Sequence, residues 1–289
     1  MWQEISAQIR EVTQTDFEIK HHRSVGGGSI NQAYAVSSGD HAYFVKLNAA
    51  SGLLMFEAEA RGLVQMAKTR TIKVPQPICW GITESTAYLV LEWLDFGYGN
   101  HAAWEMMGHN LAAMHRVTSD RGFGWDIENI IGSTPQPNPW TEDWFTFFRD
   151  HRLGHQFRLA RVRGGHFPQE NELMDALPKL LAGHDPQPSL LHGDLWSGNA
   201  AVTQLQEPVI LDPATYFGDR ETDLAMTELF GSFPKEFYRA YNAAWPLSNG
   251  YTLRKTLYNL YHVLNHFNQF GSGYEGQANR MITQLVRDC

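Results

Sequence analysis

The sequence predicts an α+β chain with a β-rich N-terminal lobe and a mostly helical C-terminal lobe. Three observations carry that expectation. Apolar-rich runs of strand length, bounded by turn residues, recur between Gln32 and Leu91. Helical periodicity dominates from Ala103 onward. The composition changes near residue 95, where "LEWLDFGYGN" shifts from apolar to glycine-rich. We expect one domain of two lobes, 1–95 and 96–289, within a length that suits a single large domain.

The elements follow in order. Residues 1–20 place Ile5, Ile9 and Val12 on one helical face. In "SVGGGSINQAYAV" three consecutive glycines stop a helix. Strands are expected at Gln32–Val36 and His41–Leu47, joined by the turn residues of "SSGD". Gly52–Lys68 reads as a helix whose face carries Phe56, Ala60, Leu63 and Ala67. Strands at Ile78–Thr83 and Ala87–Leu91 follow. Beyond 95, helices are expected at Ala103–His115, Trp140–Leu159, Asn171–Leu181, Glu221–Phe230 and Lys235–Ala244, and in one long stretch from Leu253. Short strands are expected within Ser189–Val202 and at Pro208–Leu211.

Bulk properties limit the function. The 289 residues are 43% hydrophobic and 19% charged, enough to bury a real core. A net charge of −8 disfavours general nucleic-acid binding, so a phosphate-bearing ligand must be met locally. No apolar run is long enough for a bilayer, and the N-terminus lacks the apolar core of a signal peptide, which predicts a cytoplasmic protein. Cys79 and Cys289 match no metal or redox spacing and read as free thiols.

Five local patterns point to chemistry. Gly26, Gly27, Gly28 and Ser29 would let backbone N–H groups approach a phosphate without Cβ obstruction. Lys46 sits within the apolar strand "YFVKLN". On the helix that follows, Glu57 and Glu59 flank the apolar face on opposite sides, and periodicity does not choose between them as its partner. Glu92, Trp93 and Leu94 end a buried strand before the glycine-rich segment, the form of an interlobe hinge whose backbone would bind an adenine edge. "HGDLWSGN" places Asn199 five positions after Asp194, the spacing of a kinase catalytic loop. Asp212 ends an apolar strand thirteen residues later, where a carboxylate would join Asn199 in holding Mg²⁺. Asp223 reads as a helix N-cap. His262 and His266 are spaced one helical turn apart without the acid of a zinc motif and read, with Asn265 and Asn268, as a substrate-facing polar patch. His115 is expected at the end of its helix or beneath the catalytic loop.

Each pattern is modest alone, but their order is that of a kinase. "GGGSIN", "FVKLN", "MFEAEARGL", "LLHGDLWSGN", "DPATYFGDRETDLAMTELFG" and "LYNLYHVLNHFNQFG" together resemble the fructosamine-3-kinase (ketosamine kinase) family over nearly the whole chain. That family is a small-molecule branch of the protein-kinase-like fold, related to aminoglycoside and choline kinases. The resemblance implies ATP-dependent phosphorylation of the 3-hydroxyl of ketosamines, free or on protein lysines, and a deglycation role. It implies Asp194 as catalytic base, Asn199 and Asp212 as Mg²⁺ ligands, Lys46 as phosphate lysine, Glu59 as its partner and Glu92–Leu94 as the adenine hinge. Ser29 stands where some relatives carry a loop cysteine proposed to sense oxidation, so that control is not expected here. Only ten residues separate Asp212 from Asp223, too few for the activation segment on which protein kinases dock substrates. A small acceptor, or a small group on a large carrier, is therefore expected, with a monomer favoured. The alternatives are a kinase for another amino-sugar or amino-alcohol, and a nucleotide-binding pseudokinase.

Overall fold

The structure, a computed structural model, describes residues 1–26, 30–39 and 41–289. Helix α1 (Trp2–Thr13) leads into β1 (His21–Ser24), β2 (Gln32–Ser38) and β3 (His41–Ala49). Helix α2 (Leu53–Thr69), β4 (Pro77–Thr83) and β5 (Thr86–Glu92) follow. The five strands form one antiparallel sheet in the order β1-β2-β3-β5-β4.

Strand periodicity explains how this sheet is covered on both faces. Along β5, Tyr88 and Val90 point to one side, where they pack with Ile5 and Ile9 of α1. Ala87, Leu89 and Leu91 point to the other, into the core that holds Phe56, Leu63 and Met66 of α2. A sheet buried on both faces needs no polar alternation, which is why β5 reads as an unbroken apolar run.

The chain then becomes mostly helical. It runs through β6 (Phe96–Gly97), α3 (His101–His115), the hairpin β7 (Asn129–Ile131) and β8 (Thr134–Gln136), and α4 (Trp144–Phe147). A π-helical turn (Phe148–Leu153) joins α4 to α5 (Gly154–Val162), and α6 (Glu170–Leu180) follows. Next come β9 (Ser189–Leu191), β10 (Ala200–Thr203), β11 (Pro208–Ile210) and β12 (Tyr216–Gly218). The chain ends with α7 (Glu221–Leu229), α8 (Lys235–Ala244), α9 (Tyr251–Phe270) and α10 (Glu275–Arg287). No helix among the described residues is long and apolar enough to cross a membrane. Cys79 is a buried free thiol and Cys289 an exposed one.

The main departures from expectation have local causes. The helix expected over Trp140–Leu159 starts only at Trp144, because the Asp143 side chain accepts the Thr146 N–H at 2.8 Å and caps it there. The long C-terminal helix is split by Gly271, whose φ of +90° ends α9. Strands β1, β6, β7, β8 and β12 have two to four residues each, too short to show a period. The two strands expected within Ser189–Val202 exist but do not pair with each other. β9 pairs with β12, and β10 with β11 and β6, so the loop between them is stretched across two separate ribbons.

Candidate active site

A cleft of about 640 Å³ lies between the large sheet and the helical region. Lys46 enters it from β3, which hydrogen-bonds to β2 and β5 on either side. Its ammonium is buried and donates to Glu59 Oε1 at 2.8 Å and to Asp212 Oδ1 at 2.5 Å. Burial alone would lower its pKa, but the Asp212 and Glu59 charges hold it well above the ordinary lysine value, so it stays charged. Glu59 shows the opposite balance. Its burial outweighs the pull of Lys46 and pushes the carboxyl up to about 7. The choice that periodicity left open is settled by geometry: Glu57 points outward and pairs with Arg61 on the same helix.

The loop between β9 and β10 supplies the second group of polar atoms. Gly193 has φ +84°, and a Cβ there would collide with the Ala214 carbonyl, so glycine alone fits this close approach. Asn199 Nδ2 donates to the Asp194 carbonyl at 2.9 Å and to Asp194 Oδ2 at 3.3 Å. Burial, together with the Asp212 and Asp223 charges, pushes the Asp194 carboxyl up to about 8. Asp212 itself lies deep in the cleft with about half of its side chain open to it. Burial raises its pKa, but Lys46 overcomes this and holds it below the ordinary carboxylate range.

Beneath this loop sits Asp223, and here the expected helix cap is corrected. Asp223 is the third residue of α7, and it reaches back across the fold. Its carboxylate accepts the His192 N–H at 2.7 Å and the Gly193 N–H at 2.8 Å, and it lies 3.1 Å from His115 Nε2. Burial would raise its pKa; the His115 contact and these backbone donors keep it low instead. His115 is thus placed beneath the catalytic loop, one of the two positions expected for it. His192 donates through Nε2 to the Leu211 carbonyl at 2.7 Å and accepts the Asp194 N–H through Nδ1 at 3.2 Å. Burial lowers its pKa, consistent with that neutral tautomer.

Not every predicted residue is gathered here. Lys46, Glu59, Asp194, Asn199 and Asp212 all line the cleft. Gly26 follows β1 in open space, while Gly27, Gly28 and Ser29 lie outside the described residues. Glu92 ends β5 and Trp93 and Leu94 follow it, all three beyond the cleft-lining set; Glu92 bonds to the backbone of Gln76, and the Trp93 indole donates to Asp95 at 2.9 Å. The C-terminal polar patch divides in two. His266 and Asn265 line the cleft, whereas His262 and Asn268 are buried in the core. Burial drops the His262 pKa to about 3, and its Nδ1 has no partner among the described residues. Phe230 lies 4.5 Å from His266 and Tyr274 5.1 Å, forming an aromatic wall that the sequence reading missed because three segments contribute to it.

The donor set fits a hard divalent cation. Asn199 uses its Nδ2 on Asp194, which leaves the amide oxygen as its ligand atom, and Asp212 adds a carboxylate. A second group, His184, Asp219 and Glu221, brings its polar atoms within 4.8 Å of one another. There Glu221 is engaged by Arg254 and Asp219 by His184 and Tyr258, so it is an ion-pair network rather than an open site.

Known proteins resemble this chain over most or nearly all of its length. The family model for fructosamine kinase matches residues 1–288. A protein of Synechocystis sp. with the provisional name ketoamine kinase is 55% identical, across 99% of this chain and 97% of its own. A chloroplastic protein-ribulosamine 3-kinase of Arabidopsis thaliana is 44% identical, across 91% of this chain and 82% of its own. A crystal structure from Haemophilus somnus, provisionally titled a fructosamine-3-kinase, superposes with a TM-score of 0.93 at 32% identity, covering 99% of this chain and 97% of that one. An aminoglycoside phosphotransferase and a choline kinase, at TM-scores of 0.64 and 0.62 and 16% and 14% identity, share the fold alone. The chain belongs to the fructosamine kinase family.

Proposed function

We propose that this chain transfers the γ-phosphoryl group of ATP to the 3-hydroxyl of a ketosamine, free or carried on a protein lysine. The observation that carries the reading is the meeting of Lys46, Glu59, Asp194, Asn199 and Asp212 in one cleft of a fructosamine kinase family member. Relatives named ketoamine kinase and protein-ribulosamine 3-kinase support the acceptor class.

Each residue has a physical task. Lys46, kept charged by its two carboxylate neighbours, neutralises the nucleotide phosphates. Glu59 aims it. Asp194 orients the acceptor hydroxyl and takes its proton, and its raised pKa brings it closer to that of a useful base. Asn199 and Asp212 hold Mg²⁺, which when bound neutralises charge on the phosphates. The backbone from Glu92 to Leu94 is assigned to the adenine edge and Gly26–Ser29 to the phosphates, on the resemblance alone. The wall of Phe230, His266 and Tyr274 is assigned to the acceptor, because it offers apolar faces and an imidazole to a sugar. All of these groups come from one chain, so a monomer suffices. Two unpaired cysteines suit a reducing compartment such as the cytoplasm.

The test is ATP consumption with fructosyl-lysine, ribulosyl-lysine, choline and kanamycin, the phosphorylated carbon being assigned by NMR. Turnover of the ketosamines at carbon 3 is expected. Turnover of only choline or kanamycin, or none with any acceptor, would sink the reading.

A further inference from the structure

The metal-side carboxylate stands on a strained turn. Asp212 has φ +56°, a left-handed conformation, directly before Pro213. A residue before proline is driven toward extended angles, so this conformation must be imposed from outside. Part of the restraint comes from the catalytic loop. His192 fastens the Leu211 carbonyl, its own carbonyl accepts the Ala214 N–H at 2.8 Å, and the Leu211 N–H donates to the Asn199 carbonyl at 2.9 Å.

The rest comes from a place with no assigned role. Gln136 of β8 donates to the Ala214 carbonyl at 3.1 Å, and Asn129 of β7 donates to the Thr215 carbonyl at 2.7 Å. These two residues face each other across the hairpin and are joined by a 2.7 Å bond from Gln136 Nε2 to Asn129 Oδ1. Asn138 adds a donor to the same oxygen at 2.9 Å. Behind them stands Arg152, fully buried in the π-helical turn, with no carboxylate partner among the described residues. It donates to Asn138 Oδ1 at 2.8 Å and to the Pro137 carbonyl at 2.7 Å, and its guanidinium stacks 4.0 Å from the centre of the Tyr216 ring. Tyr261 of α9 completes the set by donating to Gln136 Oε1 at 2.6 Å.

A guanidinium buried without a counter-ion is costly, and π-helical turns inside helices mark functional positions. We propose that Asn129, Gln136 and Asn138, braced by Arg152 and Tyr261, are positioning residues that hold the Asp212–Thr215 turn in its metal-binding shape. They do here what an ordered activation segment does in protein kinases, a segment for which the ten residues between Asp212 and Asp223 leave no room. None of the five needs to touch the metal. Outer partners of this kind commonly set metal affinity by tenfold or more.

The inference rests on the assignment of Asn199 and Asp212 as the metal pair. The test titrates Mn²⁺ into the intact protein with ADP and reads free metal by EPR, beside calorimetric ADP binding in EDTA. Gln136→Met keeps the side-chain length and removes the amide. It is expected to weaken Mn²⁺ binding about tenfold and to leave metal-free ADP binding within about twofold. Tyr261→Phe, which keeps the ring, is expected to weaken it about threefold, and it carries the comparison should Gln136→Met fail to fold. Unchanged Mn²⁺ affinity in the folded variants, with only a lower melting temperature, overturns the positioning role. Absence of Mn²⁺ binding by the parent protein overturns the metal assignment itself.

Discussion

Gly62 of α2 lies against Thr215, so close that a Cβ would sit 2.5 Å from the threonine hydroxyl oxygen. This contact joins the helix that carries Glu59 to the turn that carries Asp212. Glu59 is three residues before Gly62, on the same side of α2. Gly62→Ala should therefore push α2 outward and loosen the Lys46–Glu59 pair. Alanine is the better helix former by about 1 kcal/mol, but overpacking costs about 1–3 kcal/mol. We expect a lower melting temperature and a raised KM for ATP. Adding Thr215→Ala, which removes a hydroxyl that has no partner among the described residues, should restore both; no recovery in the double variant would argue against the contact as the cause.

Asp194→Asn tests the base. The substitution keeps size and removes the proton acceptor, and kcat should fall about 10²–10⁴-fold. ADP binding by calorimetry should be nearly unchanged, because the residues proposed to meet the nucleotide phosphates, Lys46, Asn199 and Asp212, are left in place. Substantial phosphotransfer by this variant would reassign the base.

Asp223→Ala removes the acceptor of two backbone N–H groups in the catalytic loop and the partner of His115. Stranding buried donors costs about 1–3 kcal/mol each, so a loss of about 3 kcal/mol in denaturant unfolding is expected. The loop carrying Asp194 would also lose its floor, and kcat should fall with stability. A fall in stability with kcat unaltered would confine Asp223 to folding.

His262 gives a pH signature. It stays neutral in the core with its pKa dropped to about 3 by burial, while an unfolded chain protonates it near 6.5. The unfolded state then binds the extra proton between those values. Stability is full above pH 6.5 and is lost as pH falls toward 3, by about 1.4 kcal/mol per unit. Glu59 and Asp194, whose pKa values are raised, act in the opposite sense over pH 4–8, so the clean measurement is a difference. His262→Phe should lose less stability than the parent between pH 6.5 and 4.5 in urea unfolding. Parallel pH profiles would mean that His262 titrates alike in the folded and unfolded chains.

The sequence made some of this legible and hid the rest for physical reasons. Lys46 in an apolar strand, and Asp194 and Asn199 at fixed spacing, are conspicuous because their chemistry is costly to place anywhere else. Glu57 and Glu59 could not be separated by periodicity, since both border the same apolar face; only the position of β3 relative to α2 decides. Asp223 looked like a cap because a cap is a local explanation, whereas its partners lie 30, 31 and 108 residues upstream. The amides of Asn129, Gln136 and Asn138 gave no signal, being neutral residues in a hairpin too short to show alternation. His262 and His266 share a helix face in the sequence, yet one packs into the core and the other into the cleft.

The link from Pro213 to Thr222 is buried along its whole length. Its hydroxyl-bearing residues, Thr215, Tyr216 and Thr222, are closed to any modifying enzyme. A signalling cascade therefore has no handle on this stretch.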